Sequence, residues 1–247
     1  MRNVAPSWAL LRRSSQLMQA ATIAAGIAVV LIAIGLGLYA LPAVTDANES
    51  SQLFDVSRAI ILFSGAGLGV LSLGMVIRAA TWKRDNDLAK MTGNVLAQHL
   101  DNSYIFIRNI SKRRLGYIDA VLIGLQGVLV FRLLDWEGTY LAEVNGWLEA
   151  DKKQRWVPTS ANPTKEVVDD INKVRTYLAD YGLTDVPIFG IIVMTKPEPK
   201  AQLTVKKPVV PALHLHRLYP HIQKTFLAQD RIDKQTFDDI VDLLYDK

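Results

Sequence analysis

The sequence predicts an α/β (α+β) protein in two parts: a transmembrane hairpin of two helices, then a domain built around a mixed central sheet flanked by helices. Three observations carry this. Residues 14–45 contain no Asp, Glu, Lys or Arg, and residues 59–77 contain none either. No later segment is both as long and as free of charge. From residue 104 onward, short β-branched runs alternate with helical spacing, the pattern of helices packed on a sheet.

The spans are predicted at residues 18–43 and 59–80. A helix needs about 20 apolar residues to cross the hydrocarbon core, and both stretches meet that length. Arg2, Arg12 and Arg13 resemble the basic start of a secretory signal, but the apolar run that follows exceeds the roughly 7–15 residues of a signal core. Gly65 and Gly69 form a small-xxx-small pair suited to close helix contact in lipid, a candidate surface for a homo-oligomer.

Charge orients the hairpin. The N-terminal tail holds three Arg and no acid, and the connecting residues 44–57 hold Asp46, Glu49 and Asp55 with no base. Arg78, Lys83 and Arg84 follow the second span. Basic flanks stay cytoplasmic, so the expectation is a multi-pass protein of the cell membrane with both termini in the cytoplasm. Residues 1–81 form the tail and anchor, and residues 82–247 a cytoplasmic domain. The chain has no Cys, which removes disulfides and thiolate metal sites.

Residues 82–247 carry 23 Lys and Arg against 21 Asp and Glu, so the domain lacks the broad basic footprint common in nucleic-acid readers. Lys112, Arg113 and Arg114 form one local cluster, a candidate contact for phosphate or lipid headgroups beside the plainer reading of a solvated turn.

The elements follow in order. Leu88, Met91, Val95 and Leu96 give residues 82–100 helical spacing. Residues 104–110 are strand-like. Residues 116–124 and 127–134 are apolar runs joined by Leu125-Gln126 between glycines, a hairpin signal, and 139–144 is predicted to complete a three-strand meander. Asn162 is an N-cap with Pro163 at the first helical position. Val167, Val168, Ile171, Val174 and Leu178 make one stripe, and Gly182 lies past the helix end. Residues 186–194 read as a strand buried on both faces. Asp233 caps a last helix, with Ile232 and Phe237 as a staple and Ile240, Val241 and Leu244 on its buried face.

The succession GYIDAVLIGLQGVLVF, a meander ending near Trp147, NPTKE opening a helix, and PIFGIIVM resembles the nuclease-related domain (NERD) family over residues 90–200. The resemblance implies a restriction-endonuclease-like fold. It also implies a site in which carboxylates hold Mg²⁺ to activate water and a Lys steadies the transition state. In this pattern an Asp ends one strand and Glu-x-Lys lies on the next, on one face because strand side chains alternate. The Asp is present as Asp119. The Glu position falls on Arg132, the Lys position on Leu134, the first-helix Glu on Asn94 and the Gln on Glu166. Asp119 is thus the one retained catalytic position, and an ion pair with Arg132 is its alternative role. Asp135, Glu137 and Glu143 are the nearby acids that a shifted register would recruit.

His214, His216 and His221 are spaced like ligands but lack an acid or Cys nearby in sequence, so no metal site is assigned. Trp82 fits an interfacial anchor, and Trp136, Trp147 and Trp156 read as packing. No phosphate loop and no nucleophile motif occurs. The leading reading is a membrane-anchored, non-catalytic NERD-like module that needs no cofactor. It would bind nucleic acid or a protein partner at the cytoplasmic face of the lipid bilayer. A Mg²⁺-dependent nuclease with rearranged acids and a membrane scaffold or assembly protein are the alternatives.

Overall fold

The computed structural model describes residues 1–5, 8–45, 52–144 and 146–245. It divides into two units: Ala9–Arg84, and Met1–Trp8 together with Asp85–Lys247.

The first unit comprises most of α1 (Trp8–Thr45) and the first part of α2 (Gln52–Ala97). Both helices contain segments long and apolar enough to cross a membrane, Ser14–Ala40 and Asp55–Ala97. Ile23, Val29, Phe63 and Val70 point outward. Small residues hold the pair together instead. A Cβ on Gly65 would sit 2.9 Å from Ile32 Cγ1, and one on Gly35 3.0 Å from Leu62 Cβ. Ser72 donates its hydroxyl to the Ala21 carbonyl at 2.7 Å and Ser14 to that of Ala79 at 3.0 Å, the kind of polar bond that joins helices in lipid. Gly65 therefore serves a contact within the chain, and a Cβ on Gly69 would lie 4.0 Å from Ala28 Cβ. The Arg78 guanidinium lies 5.1 Å over the Trp82 ring. Asp46, Glu49 and the side chains of Arg12 and Arg13 lie outside the described residues.

In the second unit the main sheet runs β1-β2-β3-β4-β8-β10. Its strands are β1 (Arg2–Val4), β2 (Ile105–Lys112), β3 (Gly116–Gly124), β4 (Gly127–Leu134), β8 (Ile188–Met194) and β10 (Ala212–His214). A smaller sheet runs β7-β6-β5-β9, from Trp156–Pro158, Gly146–Ala150, Gly138–Glu143 and Ala201–Val205. The helices of this unit beyond α2 are α3 (Pro163–Ala179), α4 (Leu218–Lys224) and α5 (Lys234–Tyr245). The mixed α/β class is as expected, with two differences in topology.

The first difference is the meander. β3 and β4 form the expected hairpin, but β5 leaves the sheet and pairs with β6 and β9. Gly138, at φ 124°, redirects the chain there. β8 takes the place beside β4, in parallel, because a strand apolar on both faces is stable only inside a sheet. The second difference is β1, which the sequence reading placed in the tail. It pairs in parallel with β2, Arg2 opposite Ile105, and the Met1 amino group donates to the Leu100 carbonyl at 2.8 Å. A three-residue strand is too short to show any period.

One face of the main sheet packs Val121, Val130 and Ile192 against α3 and α5 through Val174, Leu178, Ile240 and Leu244. The other packs Phe106 and Phe131 against the end of α2 and α4 through Ala89, Leu96, Leu218 and Ile222. On α2 the buried stripe is Ala89, Thr92 and Leu96, while Met91 is exposed, contrary to the expected stripe. Gly93 sets that rotation, since a Cβ there would come within 2.7 Å of Phe106 Cδ1.

The predicted helix caps are in place. Asn162 Oδ1 accepts the Lys165 N–H at 3.1 Å. At the other end of α3, Leu183 N–H reaches the Leu178 carbonyl and Gly182 N–H that of Ala179, a Schellman closure with Gly182 at φ 86°. Asp233 Oδ1 accepts the Thr236 N–H at 2.7 Å, and Ile232 packs in the same core as Phe237.

Candidate functional site

Asp119 stands where the β3–β4 ladder stops. The register runs from Gly124 opposite Gly127 to Ala120 opposite Phe131 and goes no further. Beyond it, Asp119 Oδ2 accepts the backbone N–H of Leu133 at 2.9 Å, so a side chain satisfies a donor that the ladder leaves open. On the other side β2 loses one rung of its ladder to β3, with no change of register. Its pairing skips from Arg108 opposite Ala120 to Ile110 opposite Ile118, and Asn109 between them takes φ 53°. Its Nδ2 donates to Asn86 Oδ1 at 2.8 Å, and its Oδ1 accepts the Tyr117 hydroxyl at 3.1 Å.

Arg132 projects from β4 toward α3, sharing its face with Val130 and Leu134 of the same core. Its guanidinium meets three carboxylates. Nη1 lies 3.6 Å from Asp119 Oδ1 and 3.9 Å from Asp170 Oδ2, and Nη2 donates to Glu166 Oε2. Glu166 and Asp170 are four residues apart on α3 and so share a helix face. Asp170 is 3% exposed; Lys173 Nζ pairs with its Oδ1 at 2.7 Å, while Oδ2 has no hydrogen-bond partner among the described residues.

Burial pushes the Asp119 carboxyl up to about 6 even though the Arg132 charge and the Leu133 N–H pull the other way; Asp85 and Asp170 add to the rise. Burial works against the charge on Arg132, but Asp119, Glu166 and Asp170 outweigh it, and its pKa is raised. Burial, with Asp119 and Asp85 nearby, likewise raises the Tyr117 hydroxyl.

The sequence-predicted positions are only partly brought together. Asp119, Arg132 and Glu166 converge. Leu134 is buried in the apolar core. Asn94 is exposed on α2 and accepts a hydrogen bond from Asn3 Nδ2 at 3.1 Å. The α2 acid that acts on Asp119 is Asp85, nine positions upstream. Asp170 was missed too, because its spacing from Glu166 has meaning only once Arg132 is placed opposite both. Glu137 pairs with Lys196 at 3.0 Å and Glu143 with Lys206 at 3.6 Å.

Among the described residues no three His, Cys, Asp or Glu side chains converge to hold a metal ion. The residues around Asp119 do not fit a divalent cation, since a fixed guanidinium already reaches all three carboxylates.

The remaining candidates have separate surroundings. Lys112 Nζ donates to the Leu243 carbonyl at 2.6 Å in the last turn of α5, where a cation meets the helix's negative end, while Arg113 and Arg114 are exposed in the turn. His214 ends β10 and His216 lies in the middle of a 3₁₀ turn (Leu215–Arg217), so they do not share a strand. An acid lies near after all: Glu198 Oε1 is 3.6 Å from His214 Nε2. Trp136 and Trp147 stack edge-on at 5.9 Å, and Trp156 is exposed.

No curated protein and no solved structure matches the chain. The family model of the nuclease-related domain matches residues 84–195, which contain Asp119, Arg132, Glu166 and Asp170. Over that segment the chain is similar to the nuclease-related (NERD) domain.

Proposed function

We propose that the chain is a membrane-anchored NERD module that binds nucleic acid or a protein partner at the cytoplasmic face and does not cleave phosphodiesters. The supporting observation is the Arg132 guanidinium held by Asp119, Glu166 and Asp170. A guanidinium neutralises these acids, as a divalent ion would, but it offers no coordination position and no bound water to ionise. Leu134, apolar and buried, supplies no cation to a phosphate. The site is a degenerate copy of a catalytic one. The anchoring rests on the two long apolar segments and on the charge flanking them. Gly65 is engaged within the hairpin.

The test uses the full chain in phosphatidylcholine nanodiscs, given labelled DNA or RNA with Mg²⁺ or Mn²⁺. The expected result is no cleavage above that of the Asp119→Asn variant. Metal-dependent cleavage by the parent that disappears in Asp119→Asn would overturn the reading in favour of a nuclease with rearranged acids.

A further inference from the structure

β8 is flanked by β4 along its whole length, but β10 reaches only Ile192–Met194. Beside the uncovered half lies a cavity of about 460 Å³, lined by side chains from both faces of the sheet, among them Ile171 of α3 and Phe226 beyond α4. Its wall is apolar yet open, for Val209 is 60% and Phe189 37% exposed there. Polar groups stand at the edge. Arg175 lines the cavity, and its guanidinium donates to the neutral Asn172 Oδ1 at 2.8 Å. His221 lines it too, its pKa lowered by burial.

A second cavity, of about 730 Å³, adjoins the first through the shared residues Pro211 and His221. Its lining includes His216, Arg217 and Lys224. Among the described residues neither cavity is lined by an Asp or a Glu, although acids are nearly as numerous as bases in this part of the chain. An apolar pocket of this size with a few polar groups at its edge is the usual form of a small-ligand site. The one-sided charge specifies the ligand's head.

We infer that the paired cavities bind a single-chain amphiphile with a phosphate head. The chain lies in the apolar cavity beside Ile171 and Phe226, and the phosphate meets Arg217 and Lys224 with Arg175 at the rim. This site is separate from the Arg132 cluster.

The experiment is calorimetric titration of dodecyl phosphate, below its micellar concentration, into the full chain in phosphatidylcholine nanodiscs, with empty discs of the same lipid subtracted. One saturable site above the empty-disc signal is expected. Dodecanol should bind at least tenfold more weakly, and so should dodecyl phosphate to the double variant Arg217→Glu, Lys224→Glu. Val209→Trp, which fills the cavity from an exposed position without disturbing the core, should abolish binding. The variants' circular dichroism must match the parent's. Binding no greater than in empty discs, or binding indifferent to both changes, overturns the inference. So does saturable binding of an oligothymidylate, lost in the double variant, with none of dodecyl phosphate; the basic rim would then be a nucleic-acid contact.

Discussion

At the scale of single residues, the chemistry turns on Asp119. Had Arg132 only this partner, Asp119→Asn would strand a buried guanidinium. Glu166 and Asp170 also reach it, and an Asn oxygen can still accept the Leu133 N–H. The substitution is therefore expected not to lower stability at neutral pH, where the ionised carboxyl it replaces is disfavoured by burial. Its signature lies in pH dependence. With the folded carboxyl at about 6 and the unfolded one near the usual 3.8, the folded state binds the extra proton between these values. Stability from this group is full below pH 3.8 and falls as pH rises to 6, by at most about 1.4 kcal/mol per pH unit. Chemical denaturation across this range should show that slope in the parent and a flatter one in Asp119→Asn. Arg132→Met should be far more damaging, by about 3–5 kcal/mol, because it leaves buried acids uncompensated. Mn²⁺ should raise the melting temperature of that variant and not of the parent. Asp119 and Arg132 were legible in the sequence through the resemblance to the nuclease-related domain. Asp85 and Asp170 were not, since the turn of α2 set by Gly93 and the face of α3 opposite β4 emerge only from packing.

At the scale of elements, what the sequence revealed was local. The α3 boundaries were readable because Asn162, Pro163 and Gly182 act within a few residues of themselves. Asn162→Ala should cost about 1 kcal/mol, measurable as a lower denaturation midpoint at unchanged m-value. Partnership between strands was not readable in this way. The run 139–144 has the composition of a third meander strand, and nothing within it reveals that β8, some fifty residues on, occupies the place beside β4. Close approach of α3 to β8 adds a second check. A Cβ on Gly190 would lie 2.6 Å from Ile171 Cδ1. Gly190→Val should thus destabilise by about 1–3 kcal/mol through overpacking, seen as a lower melting temperature.

At the scale of the whole molecule, β1 alters what counts as the domain. A fragment of residues 82–247 keeps the elements after the hairpin but lacks Arg2–Val4, leaving the edge of β2 bare. The fragment is expected to fold cooperatively and yet to associate through that edge, giving a concentration-dependent elution volume in gel filtration. A peptide of residues 1–5 added in excess should reverse the association; a monomer at every concentration would count against this role for the edge. The pairing also constrains how the chain threads. Residues 2–4 and 105–107 can lie side by side only if the polypeptide between them crosses a bilayer an even number of times, whichever side it starts from. Hydrogen bonds in a sheet thereby enforce the same parity as the flanking charges. During synthesis the first strand must wait, unpaired, until about a hundred further residues have emerged, so the sheet can close over its edge only after the hairpin has been made. Residues 2–4 thus close the β2 edge only once residues 105–107 are in place beside them.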